Sequence, residues 1–253
     1  MQTLFGAGAM WGTPLTDAVG NPVSNPTPVR FGVAQEISID IDFSTKELYG
    51  TLQFPVAVGR GTAKISGNIK NAQINGRAWA SLFFGQSMTT GIFADVLDTT
   101  GSLIPMTGPY TITPTVPGSG TWAADLGVLD TNGNPMQVVA STPVSGQYSV
   151  SAGVYTFAAA DDGKRVFINF QYTGTSTTAP DLLVTSQPLG YTPTFALDVY
   201  LPYQGSSVTA HLFNAVASKL AIQTKLDDFV IPQMDYTAFA DAQNRVMQIG
   251  TSQ

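Results

Sequence analysis

The chain lacks cysteine altogether, and it carries a single histidine among its 253 residues. The absence of cysteine excludes disulfides, thiolate metal sites and cysteine nucleophiles. A Ser-His-Asp arrangement would depend wholly on His211, which its strand pattern places on a polar face. The adjacent pair Asp161-Asp162 is typical of a turn, and neighbouring strand residues point to opposite faces. The sequence therefore predicts no catalytic, cofactor-binding or metal site, and no enzyme.

Charged residues are also scarce. They make up 11 % of the chain, against about 25 % in ordinary soluble domains, whereas apolar residues reach an ordinary 43 %. Two interpretations stay open: other copies or partners cover much of the surface, or the chain is a neutral secreted β domain. The net charge of −6 argues against nucleic-acid binding through a basic surface. No run of 18 apolar residues is present, so no membrane span is predicted.

Alternation of apolar and polar residues is the main pattern that the chain does show. Residues 36–43 carry Ile or Phe at odd positions and polar side chains at even positions, as a half-buried strand requires. Residues 62–72 and 195–201 alternate in the same way, and residues 207–229 are predicted to form one long bent strand or two consecutive strands. A short helix is predicted in residues 72–85, with Gly85 as its stop. Its apolar stripe comprises Ile74, Trp79, Leu82 and Phe83.

The outer faces of the first two strands carry opposite charges. Glu36, Asp40 and Asp42 share one face of the first strand. Lys64 and Lys70 share one face of the second. Asp40 and Asp42 would also suit a pair of glycosidase carboxylates. Opposite charges on neighbouring strands are ordinary sheet stabilisation, worth up to about 1 kcal/mol, and this is the interpretation we favour.

Two segments have apolar side chains but no alternation. Residues 1–30 are rich in Gly and Pro, which predicts an extended arm rather than a strand or helix. The apolar side chains of this arm need a contact surface on their own domain or on a neighbour: Leu4, Phe5, Met10 and Trp11. Residues 44–61 are predicted to be a long loop whose apolar side chains would be costly to solvate: Leu48, Tyr49, Leu52, Phe54 and Val56.

These patterns predict a mainly β fold with one short helix. The expected organisation is an arm (1–30), a first β half with the helix (31–100), a middle β segment or inserted domain (101–180), and a second β half (181–253).

Residues 43–85, "FSTKELYGTLQFPVAVGRGTAKISGNIKNAQINGRAWASLFFG", resemble the N-terminal half of the tail tube proteins of long-tailed bacteriophages. In this resemblance a strand enters a long loop, a Gly-flanked strand follows, and a short helix ends in Phe83-Phe84-Gly85. Residues 146–173 and 219–249 look like segments of the same kind of virion protein. Together the three segments cover about two fifths of the chain.

The resemblance implies a structural virion protein with a tube-like β-sandwich or barrel. Its subunits form stacked rings whose long hairpins join into an inner β-barrel, assembled in the host cytoplasm and located in the phage tail. The loop and the arm would link successive rings. The acidic face at Glu36, Asp40 and Asp42, partly neutralised by Lys64 and Lys70, would line the lumen, so that duplex DNA passes during ejection without specific binding. Further partners would be other tail proteins, namely the tape measure, the terminator and the baseplate or tip.

The chain departs from the family in length. Small tail tube subunits are often shorter, so residues 101–180 need a role, either as an inserted domain or as part of a duplicated tube fold. A ring of six and a ring of three both stay open. Two other classes also stay open: another virion protein such as a capsid decoration or head-tail connector, and a carbohydrate-binding β-sandwich.

Overall fold

The computed structural model describes residues 6–73, 75–176 and 179–252, and the chain divides into two compact units. Unit 1 combines residues 1–88 and 182–253, and unit 2 comprises residues 89–181. Strands make up 52 % of the chain, which confirms the prediction of a mainly β fold with one short helix. The sequence predicted a middle segment at 101–180, whereas unit 2 begins at residue 89.

The first part of unit 1 contains five strands followed by a short helical segment. In chain order these are β1 (Ala9–Pro14), β2 (Val29–Phe31), β3 (Ala34–Ile37), β4 (Asp40–Tyr49), β5 (Pro55–Asn71), the helical turn α1 (Gly76–Ala78) and a π-helical turn (Trp79–Phe83).

The N-terminal segment differs from its prediction. Residues 1–30 were expected to form an extended arm without strands, but β1 pairs with β2 within the main sheet of unit 1. Every second residue of β1 is buried, namely Met10, Gly12 and Pro14. A Cβ on Gly12 would lie 2.3 Å from Leu82 Cδ1, so glycine allows the helical segment to pack against this strand. Because glycine and proline occupy two of the three inward positions, the alternation is invisible to a hydrophobicity pattern.

The predicted loop at 44–61 is instead the outer part of a β-hairpin. β4 and β5 pair antiparallel from Asp40↔Ser66 to Tyr49↔Pro55, and only residues 50–54 form the turn. Irregularities in the register interrupt the alternation of both strands, which explains why the sequence does not look like a strand here.

The helical segment lies inside the predicted range 72–85. Asn75 caps its start, with its side-chain oxygen accepting a hydrogen bond from Ala78 N at 3.2 Å. Gly85, with φ +62°, follows its end as predicted. Ile74 of the predicted stripe lies outside the described residues.

Unit 2 contains ten strands in the described residues, and most of them are short. They are β6 (Thr89–Thr90), β7 (Ile92–Val96), β8 (Ser102–Leu103), β9 (Thr111–Ile112), β10 (Thr121–Asp130), β11 (Gln137–Val138), β12 (Gln147–Ser151), β13 (Val154–Phe157), β14 (Arg165–Gly174) and β15 (Pro180–Asp181). One four-stranded sheet has the order β10-β14-β7, with β8 also pairing with β14, and the other has the order β11-β12-β13-β9. Both sheets contribute to one buried core that includes Val128, Ile168, Tyr148 and Phe157.

The last part of the chain returns to unit 1 with β16 (Phe195–Tyr203), β17 (Ser206–Ala221), β18 (Gln233–Ala238) and β19 (Met247–Ser252). A nine-stranded sheet results, with the order β2-β1-β16-β17-β18-β5-β3, in which β19 pairs with β17 and β4 pairs with β5. The two terminal segments of the chain therefore contribute strands to one sheet. Period-two alternation correctly predicts β16, and of the two alternatives left open for the following segment the structure shows one long strand, β17.

The core of unit 1 lies against one face of this sheet. Strands from both ends of the chain and the helical segment contribute to it. Its largest fully buried side chains are Met10, Phe31, Ile69, Leu82, Phe195, Leu197 and Tyr236.

Candidate assembly interface

The charged residues that the sequence analysis singled out lie in a part of the unit 1 sheet that is four strands wide, with β3 and β4 sharing one position beside β5. β17 pairs with β18 through residues 215–221, and β18 pairs with β5 through residues 65–70. On its far side, β5 pairs first with β3 and then with β4. We call this region the four-strand strip, defined as residues 216–221, 233–238, 64–71 and 36–43.

All five residues predicted to line a lumen lie on one face of the strip. Glu36 stands opposite Lys70, and Lys70 Nζ lies 2.7 Å from Glu36 Oε2. Asp42 stands opposite Lys64. Asp40 stands opposite Ser66, two residues from Lys64 on the same face. Because cross-strand partners and alternate residues share a face, the structure brings these charges together as the sequence predicts.

Sequence reasoning missed a second group of polar residues on the same face. β18 places Gln233 opposite Lys70 and Asp235 opposite Asn68, and β17 places Lys219 opposite Asp235. Gln233 Nε2 donates to Asp235 Oδ1 at 2.7 Å. The alternation in "QMDYTA" could have identified β18, since every second residue is buried. Its neighbours could not be identified, because pairing between distant segments leaves no local signal.

On the opposite, buried face of the strip, Tyr236 of β18 connects to the segment that precedes β4. The hydroxyl of Tyr236 donates a hydrogen bond to Ser38 O at 2.8 Å. Burial, and then the nearby Asp40 carboxylate, raise the pKa of Tyr236 above its usual value. A Cβ on Gly67 would lie 2.0 Å from Ser38 O and 2.6 Å from the Tyr236 hydroxyl. Glycine at this position therefore lets β18 and the chain before β4 approach β5 closely.

The β4–β5 hairpin, which overlaps the strip at residues 40–43 and 64, is exposed on both faces. Every residue of β4 is exposed, as is β5 from Val56 to Lys64. The predicted ring-linking residues all lie in this hairpin: Leu48, Tyr49, Leu52, Phe54 and Val56. Leu52 is 78 % exposed and Phe54 is 81 % exposed at the turn. Because a lone two-stranded hairpin is marginally stable in water, apolar side chains on both of its faces indicate a surface that another molecule covers.

The strip also has two free strand edges. β17 pairs with β16 only up to Ala215, so within the described residues no strand pairs with that edge at 216–221. At the other side of the strip, β4 pairs only with β5 in the described part of the chain. Both edges present unpaired backbone donors and acceptors, which can extend the sheet into another chain.

The predicted arm contacts have different environments. Met10 is fully buried in the core of its own unit, so it makes no contact with a neighbour. Trp11 is half-buried, and the Arg30 guanidinium lies 6.0 Å from its ring centre. Leu4 and Phe5 lie outside the described residues.

The single histidine is paired within its own sheet. His211 Nδ1 lies 2.6 Å from Asp198 Oδ1 on the neighbouring strand, and its ring packs edge-on against Phe213. In the described ranges, no cluster of three or more His, Asp or Glu side chains is arranged to hold a metal ion. Among the same residues, no helix has the length and apolar character that crossing a bilayer requires.

No protein-family model matches this chain, and no curated protein is significantly similar to it in sequence. The features of the molecule that indicate a function are therefore the geometry of the strip and its hairpin.

Proposed function

We propose that this chain is the subunit of a self-assembled hollow tube, of the kind formed by phage tail tube proteins. The observation that carries the proposal is the pair of free edges on opposite sides of the four-strand strip. Edge β4 of one copy pairs with edge 216–221 of β17 in the next. Such a head-to-tail contact uses two different surfaces, so its repetition closes into a ring when the rotation between copies allows it.

The exposed hairpin supports the same proposal. Its outer part extends beyond the strands that would pair within a ring, and its apolar side chains are available on both faces. Contact with the ring above or below removes these side chains from water, which contributes about 25 cal/mol for each Å² of apolar area buried.

The polar face of the strip suits a lumen for DNA. It carries the carboxylates of Glu36, Asp40, Asp42 and Asp235 against the ammonium groups of Lys64, Lys70 and Lys219. The negative and positive charges on this face nearly balance, with one more carboxylate than ammonium group. Duplex DNA binds through phosphate contacts to clustered cations, so such a face lets DNA slide past without retaining it.

The test uses cysteine pairs, which are clean probes because the chain has no cysteine of its own. Ser44→Cys or Lys46→Cys on β4 is combined with Ser218→Cys on β17, and the protein is concentrated and oxidised. We expect a ladder of cross-linked oligomers that ends at the ring size, since a disulfide forms only where Cα atoms come within about 7 Å. Negative-stain electron microscopy of the same samples should show rings or stacked tubes.

Each single-cysteine variant is the matched control and should give nothing larger than a dimer. Monomers alone at high concentration, or closed particles without a ladder for either pair, would contradict the proposal and favour a decoration or connector protein.

A further inference from the structure

Unit 2 has the structural properties of a separately folding module. Its buried core draws only on residues 104–170, including Ile104, Val128, Tyr155 and Phe170. The core of unit 1 draws on residues 10–82 and 195–238. Each sheet takes all its strands from one unit, so no sheet depends on both.

Unit 2 also begins and ends at the same place. β6 and β15 pair antiparallel, with Thr90 opposite Pro180 and Thr89 opposite Asp181. Gly91 N donates to Ala179 O at 3.0 Å, which continues this pairing by one step. A domain whose two ends are adjacent can be inserted into a host loop without stretching it, and it can be removed in the same way.

The features that carry the proposed assembly all lie in unit 1. The free edges belong to β4 and β17, the hairpin to β4 and β5, and the polar face to residues 36–70 and 219–237. Among the described residues, no strand of unit 2 takes part in any of them.

We propose that unit 2 is an autonomously folding module that is dispensable for assembly, and that unit 1 alone carries the self-association surface. The first half of this inference is independent of the proposed function, and the second half rests on it. Unit 1 is then the host domain that assembles, and unit 2 is a domain inserted into it.

Autonomy is tested on the full chain below the assembly concentration, by calorimetry and hydrogen exchange. Phe170→Leu weakens the core of unit 2, and Leu197→Val weakens the core of unit 1; both side chains are almost fully buried. We expect Phe170→Leu to lower one melting transition by about 5 °C and to speed exchange in residues 89–181 only. Leu197→Val should affect the other transition and the remaining residues. A single transition that both variants shift equally would overturn autonomy.

Dispensability is tested by replacing residues 92–178 with Asn-Gly, so that Gly91 and Ala179 flank a two-residue turn. The shortened chain should melt cooperatively and form rings with the same symmetry as the full chain. If the full chain forms rings and the folded shortened chain does not, the inference is wrong. If neither forms rings, the proposed function fails, while the calorimetric result on autonomy still stands.

Discussion

Asp125 holds the two sheets of unit 2 together from its position on β10. It accepts hydrogen bonds from the Tyr148 hydroxyl at 2.5 Å and from the Tyr155 hydroxyl at 3.0 Å, and both tyrosines belong to the other sheet. Trp122 Nε1 donates to the Tyr155 hydroxyl at 3.3 Å. Both rings are buried, so the hydroxyl groups have no access to water as an alternative partner.

This arrangement predicts how unit 2 responds to alkaline pH. Burial raises the pKa of Tyr148 and Tyr155 above their usual value of about 10, and the Asp125 carboxylate adds to it. The folded state therefore binds these protons more tightly than the unfolded state. The contribution of these two tyrosines to the free energy of unfolding should be fully present below pH about 10 and should be lost as the pH rises towards the folded-state pKa.

Tyr148→Phe removes one of these two titrating hydroxyl groups. The free energy of unfolding should then decrease less steeply above pH about 10. The check is urea unfolding at pH 8 and at several values above pH 10, followed by far-UV circular dichroism. Tyr191→Phe is the control, because it makes the same chemical change at an exposed tyrosine outside the core of unit 2. Equal pH dependence in both variants would show that burial of Tyr148 does not control it.

A second prediction at single-residue scale concerns Gly67 of β5. Gly67→Ala places a methyl group 2.0 Å from Ser38 O, so β5 must move away and the Tyr236 hydrogen bond must lengthen or break. We expect a loss of about 1–3 kcal/mol in the free energy of unfolding. Gly59→Ala in the same strand is the matched control, because a Cβ there meets nothing within 4 Å. If denaturant unfolding gives equal losses for both variants, close approach at Gly67 is not the cause.

At the scale of strands, substitutions in the turn of the β4–β5 hairpin should impair assembly without lowering the stability of the subunit. Leu52→Ser with Phe54→Ser should leave the melting temperature of the unassembled chain within about 2 °C, because both side chains are already exposed. The same pair should raise the concentration needed for stacking, since it removes apolar area from the proposed contact between rings.

Light scattering across a concentration series measures this onset. Leu97→Ser in unit 2 is the control, since Leu97 is 76 % exposed and lies outside the hairpin. The hairpin contact is not needed if the double variant assembles at the same concentration as the Leu97→Ser variant.

Strands were predictable from sequence where one face is buried and the other is solvated. Ile37, Ile65 and Ile69 pack against the core while their neighbours stay polar, so alternation is strict and informative. The outer hairpin has no buried face, and its strand pairing therefore imposes no hydrophobic pattern. In β1 the inward position of Gly12 must be small, which removes the apolar signal. The pairing of β18 with β5 joins residues more than 160 positions apart, and no local pattern encodes such a contact.

At the scale of the whole chain, the charges on the polar face of the strip should determine whether an assembled tube binds the DNA inside it. The chain has a net charge of −6, yet the face proposed for the lumen has four carboxylates and three lysines. Asp40→Lys with Asp42→Lys leaves two carboxylates against five lysines on that face. Every subunit of a ring would then present several cations to the phosphates at once, and attraction to the backbone grows with the number of phosphates neutralised.

We expect tubes of the double variant to form as before but to retain duplex DNA. Nuclease-protected, fluorescently labelled DNA that co-sediments with the tubes gives the measurement, and its amount should fall steeply between about 50 and 200 mM salt. Asp227→Lys with Asp228→Lys makes the same change in net charge outside the strip. This control should protect less DNA from nuclease, because its added cations lie in the connection between β17 and β18 and not on the polar face of the strip. Two outcomes would show that the polar face of the strip does not line a passage for DNA. One is that the two variants protect equal amounts of DNA, and the other is that neither protects any although microscopy confirms that tubes have formed.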